Sequence, residues 1–197
     1  MAEAHEQVEH AEHIEHAAGT NKKISLVIAV LALFLAFSGT LGKNAQNEAM
    51  NLNIQASDLW NFFQAKTIRR TVLLTTVEAK LAESVLTDES AAREPIAKQI
   101  ADWQKTAARY RSEPETKEGT TELAERAKEA EQERDTQLAR YHNFELATAA
   151  FQIGIVLCSA AVITGMVLLA WLAGGIAVIG VGFMGLGLLA PHALHLA

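Results

Sequence analysis

The sequence predicts an all-α protein: three transmembrane helices plus an extramembrane antiparallel helical hairpin, coiled-coil-like, with a broken return arm. Two uncharged runs and one polar stretch lead there. Residues 146–190 hold no Asp, Glu, Lys or Arg over forty-five positions, and residues 24–42 hold none over nineteen. A helix needs roughly 20 apolar residues to cross a bilayer, so the longer run contains two spans and the shorter one contains one. Between them, residues 43–145 are polar and carry apolar side chains at helical spacing.

Apolar residues make up 50% of the 197-residue chain, but they are segregated into these runs rather than spread through one globular core. The net charge is −6 and no basic patch stands out, which excludes nucleic acid as a partner. The lone cysteine, Cys158, falls inside a predicted span, where it reads as a small packing residue.

Residues 1–23 form a polar tail in which Glu3, Glu6, Glu9, Glu12 and Glu15 recur in steps of three beside His10, His13 and His16. Side chains at i and i+3 share a helix face, and imidazole suits zinc, copper or nickel, so His10, His13 and His16 are the candidate metal ligands. The competing readings are a solvated, helix-prone tail and proton sensing by imidazoles beside carboxylates. Residues 24–42 follow as the first span, about 28 Å long as a helix. Lys22 and Lys23 precede it and Lys43 alone follows, which favours a cytoplasmic N-terminus with the hairpin on the opposite, periplasmic side, whereas Arg134 and Arg140 near the second span pull the other way.

From residue 43 to residue 86 there is neither Pro nor Gly, and Leu59, Phe63, Leu74, Val77, Leu81 and Val85 mark one long outward helix. Residues 87–90 interrupt it. Pro95 suits the first turn of a second helix with the stripe Ile96, Ile100, Trp103, Ala107 and Tyr110. Residues 112–119 are a break, where Ser112 and Glu115 have capping-box spacing, and Thr120 opens a third helix that runs on into the second span. Because the third helix must return to the bilayer, the second and third helices both run back along the first. Their seam, Leu123, Ala127, Ala130, Leu138 and Tyr141, is thin. Trp60, Phe62, Ile68, Val72 and Leu73 are then left over, which predicts self-association or docking of another membrane protein.

The densest aromatic cluster outside the spans is Trp60-Asn61-Phe62-Phe63-Gln64-Ala65-Lys66. Trp60, Phe62, Phe63, Gln64 and Lys66, with Trp103, are therefore the candidate interaction residues; a packed aromatic layer is the plainer reading. The second span is placed at residues 146–171, a turn at Trp171-Leu172-Ala173-Gly174-Gly175, the third span at residues 175–190 and a C-terminal tail at residues 191–197. At 100° per residue Gly174, Gly175, Gly182 and Gly185 share one face of the third span, while Gly180 and Gly187 share the opposite face. Close helix packing is expected at both, and the competing reading is that glycine is simply frequent in membrane helices.

The Glu-His tail, Asn21-Lys22-Lys23 before the first span, the Trp60-x-Phe62-Phe63-Gln64-Ala65-Lys66 signature and the terminal pair of spans together resemble a bacterial membrane family, domain of unknown function 4337. The resemblance covers nearly the whole chain. It implies a bacterial inner-membrane setting and brings no catalytic residue with it.

The leading expectation is a non-enzymatic, membrane-anchored scaffold or docking subunit that contacts lipid, self-associates and needs no cofactor. A channel or transporter accessory subunit is the second reading, and metal or pH sensing through the His tail is the third. No nucleophile–base pair, phosphate-binding glycine loop or strong metal motif favours an enzyme.

Overall fold

A computed structural model describes the backbone of residues 2–86 and 90–193 and the side chains of residues 22–85 and 94–193. Among the described residues every regular element is helical: α1 (Ala2–Leu86), α2 (Ser90–Arg111), α3 (Thr120–Thr164) and α4 (Val167–Leu189). Three of them contain stretches long and apolar enough to cross a membrane, within Lys22–Val85, Thr120–Thr164 and Val167–Leu189. The predicted fold class is thus observed.

α1 is continuous because nothing in it breaks a helix. It has no proline, and its threonines turn their hydroxyls inward: Thr71, Thr75 and Thr76 donate to the carbonyls of Thr67, Thr71 and Val72 at 3.0, 3.0 and 2.8 Å. The helices pack as two compact units, one made of Met1–Glu48 with Thr136–Ala197 and the other of Ala49–Asp135.

In the first unit the apolar parts of α1, α3 and α4 surround a core of Ile24, Leu31, Ala147, Phe151, Cys158, Ala161 and Ala173. Phe34 stacks on Phe151 with ring centroids 5.6 Å apart. Ser38, fully buried, shares a 2.9 Å hydrogen bond with Thr148, which joins α1 to α3 where few polar partners exist. The turn between α3 and α4 lies at Gly165, earlier than the Trp171–Gly175 segment that the sequence singles out. Gly165 adopts a φ of 70°, and its N–H donates to the Ala161 carbonyl at 2.9 Å. One left-handed glycine closes α3, whereas Gly174 and Gly175 lie inside α4. The third span accordingly starts at Val167, not at residue 175.

In the second unit α2 and the first part of α3 both run antiparallel to α1. Going up α1, Asn53, Trp60 and Lys66 meet Arg134, Glu131 and Glu118, in descending order on the return arm. Lys66 and Tyr110, which also meet, are equally far along the chain from the 87–89 connection. Four details differ from the sequence reading. α2 starts at Ser90, so Pro95 sits inside the helix rather than in its first turn. Leu81 and Val85, expected on the buried face of the outward helix, are 45% and 82% exposed. Leu138, expected in the α3 seam, is 38% exposed. Ser112 pairs with Glu122 rather than Glu115.

The 112–119 break is an ordered connector. The hydroxyls of Thr120 and Thr121 donate to the Arg111 carbonyl at 3.2 and 3.1 Å, satisfying an acceptor at the end of α2. Glu122, in the first turn of α3, reaches back and accepts from the Ser112 hydroxyl at 2.6 Å and the Glu113 N–H at 3.3 Å. The Ser112 hydroxyl, followed by backbone N–H groups, holds the Glu122 carboxyl below the ordinary carboxylate range.

Candidate functional site

The sequence-predicted interaction residues divide between the two sides of α1. Leu59 and Phe63 pack with Leu123 and Ala127 of α3, and Trp60 joins them, its ring edge-on to Phe63 at 5.4 Å. Trp60 Nε1 donates to Glu131 Oε1 at 2.9 Å. Trp60 is therefore a seam residue and not spare surface. Phe62 remains 37% exposed and Gln64 is exposed. Trp103, half-buried on α2, shares the buried stripe of Ile100 and Ala107.

Lys66 is the unexpected member. It is 5% exposed, and its ammonium stands 3.4 Å from Glu113 Oε2 and 3.5 Å from Glu118 Oε2. The rings of Phe62 and Tyr110 lie beneath it, with centroids at 5.1 and 5.7 Å. Two carboxylates and two π faces from three successive segments thus converge on one cation. Such a cluster replaces water around the charge, so it can hold the return arm in register at its break. The sequence flagged Lys66 and Tyr110 separately; Glu113 and Glu118 had no signal beyond being acidic and near a turn. Beside the cluster a groove of about 490 Å³ opens, lined by Ile54, Asp58, Phe62, Thr116, Glu118 and Arg126.

The glycines of α4 also divide. A Cβ added at Gly180 would stand 2.9 Å from Phe151 Cε1, and one at Gly187 would stand 2.8 Å from Phe144 Cε1, so these two admit aromatic rings from α3. At Gly174, Gly175, Gly182 and Gly185 nothing lies within 4 Å. Among the described residues no three His, Cys, Asp or Glu side chains are grouped to hold a metal. His10, His13 and His16 lie outside the residues whose side chains are described.

The profile of the family described as Domain of unknown function (DUF4337) matches residues 20–190. The chain belongs to that family. The match takes in all three apolar helices and the whole hairpin, so the Lys66 cluster lies within the DUF4337 region. No curated protein and no solved structure matches the chain.

Proposed function

We propose that this DUF4337 protein is a non-enzymatic, membrane-anchored scaffold that self-associates and offers its helical hairpin as a docking surface for other membrane proteins. One observation carries the reading. On α1 of the hairpin, Met50, Ile54, Ile68 and Val72 are 61%, 55%, 64% and 56% exposed. At 100° per residue all four lie opposite Leu59, on the far side of the helix from its seam. Each bulky apolar group left in water forgoes about 1.5–3 kcal/mol relative to burial, so a second copy laid along this stripe would be stabilising. The setting is a bacterial inner membrane, with the N-terminus cytoplasmic and the hairpin periplasmic, supported by Lys22 and Lys23 before the first span against Lys43 after it.

The test is disulfide trapping in native membranes, with Cys158→Ala as background. Ile68→Cys should form chain-to-chain disulfides under mild oxidant, while Arg69→Cys, exposed but turned a quarter of the way around the helix, should not. Equal trapping at both positions, or none at either, rejects the stripe as an interface.

A further inference from the structure

The three apolar segments end at one level. The Cβ position of Gly42 on α1 lies 3.5 Å from Phe144 Cβ on α3, and Phe144 in turn fills the space at Gly187 on α4. Asn143 Nδ2 donates to the Pro191 carbonyl at 3.1 Å, just past the end of α4. Charged residues begin here on α1 at Lys43 and on α3 at Glu145, and α4 ends at Leu189, which is where a bilayer's headgroups begin.

At this level a groove of about 380 Å³ opens between the helices. Its apolar wall includes Leu41 and Leu188, and its polar wall includes Asn44, Glu48, Gln137 and Arg140. Arg140 lines this groove, is half-buried and forms no ion pair among the described residues. A half-buried guanidinium with no anion beside it is left without its usual partner, which points to an acceptor that occupies the groove. The guanidinium fork suits phosphate oxygens. Glu48 adds a carboxylate to the same groove, and no ion pair forms between it and Arg140. One cation and one anion, each unmatched by the other, complement a headgroup that carries both charges.

We propose that this groove binds a phospholipid whose headgroup bears a phosphate and a primary ammonium. Arg140 takes the phosphate, Glu48 takes the ammonium, Asn44 and Gln137 supply further hydrogen bonds, and the acyl chains leave along Leu41 and Leu188. A quaternary ammonium carries the same charge but has no N–H to donate, so a phosphocholine lipid fits less well. A phosphoglycerol lipid meets repulsion from Glu48.

The test uses the full chain in nanodiscs of equal parts phosphoethanolamine, phosphocholine and phosphoglycerol lipid, with retained lipid read by native mass spectrometry. The phosphoethanolamine lipid should be retained several-fold over the other two. Arg140→Gln should abolish retention, and Glu48→Gln, an exposed substitution, should erase the preference over phosphoglycerol lipid while leaving helical content unchanged. Water-soluble phosphoethanolamine at millimolar concentration should not displace the lipid, since it lacks the chains that line the apolar wall. Indiscriminate retention, a preference for phosphoglycerol lipid, an unaltered preference in Glu48→Gln, or displacement by the soluble headgroup overturns the proposal.

Discussion

The membrane unit and the hairpin unit are both built from antiparallel helices, yet different forces hold them. In the membrane unit, apolar contact with lipid is as favourable as contact with protein, so association depends on shape. Phe151 and Phe144 enter the space left by Gly180 and Gly187, and one hydroxyl pair, Ser38 with Thr148, crosses between helices. In the hairpin unit water supplies the driving force, but the seam of Leu59, Leu123 and Ala127 is small. Polar groups complete it: Trp60 with Glu131, Arg134 with Asn53, and the Lys66 cluster at the break. The lesson is that the same secondary structure tolerates opposite substitutions in its two settings.

Adding bulk should break the membrane unit first. Gly180→Leu pushes a side chain into the Phe151 ring and should cost about 3 kcal/mol, the upper end of ordinary overpacking, measured by denaturant titration in detergent. Gly182→Leu, in open space, should leave the unfolding free energy of the single chain unchanged. In the hairpin unit the comparable steric site is Gly119, where a Cβ would lie 2.5 Å from the Glu113 nitrogen and 2.6 Å from Ser112 Cα. Both are backbone atoms and cannot swing aside, so Gly119→Ala should destabilise by about 2 kcal/mol in a thermal melt.

Removing charge should affect only the hairpin. Lys66→Ala and Lys66→Met both leave Glu113 and Glu118 without their cation, and each should cost about 1–2 kcal/mol by the same melt, with Met, which keeps the volume, only slightly milder. A Met variant close to the parent would show that the packed stem, rather than the charge, closes the break. Ser38→Ala, the membrane counterpart, should cost about 0.6 kcal/mol, the average for a hydrogen bond between transmembrane helices.

The smallest effect is acid sensitivity at Glu122. Its folded pKa lies below its unfolded one, so its contribution is present above the unfolded pKa and is lost as pH falls through the folded value. Hydrogen exchange at the 112–119 connector should therefore speed up below the ordinary carboxylate range in the parent chain. Glu122→Gln should flatten that dependence.

Periodicity and length made the three apolar helices, the outward helix and the two-piece return arm legible in the sequence. The α3–α4 turn was not, because forty-five uncharged residues offer no polar punctuation and the Gly174-Gly175 pair draws attention from a lone Gly165. In lipid a glycine pair inside a helix creates room for neighbours instead of ending the helix. The Lys66 cluster was half legible. Leu59, Phe63 and Lys66 step by four and three along the seam, which places a cation among buried residues, but its aromatic neighbours invited a reading as exposed surface. Glu113, Glu118 and Gly119 gain meaning only when α2 and α3 are stacked against α1, a relation that no local pattern encodes. In the sequence Arg140 is only a charge near the second span, since its groove needs three helices to form.

The most direct test of the scaffold reading is the mass of the particle when the full-length protein is extracted from its own membrane into polymer-bounded lipid discs without detergent. Two or more chains per disc, reduced to one by Ile68→Lys with Val72→Lys, is the expected result. A single chain per disc in the parent protein would contradict it.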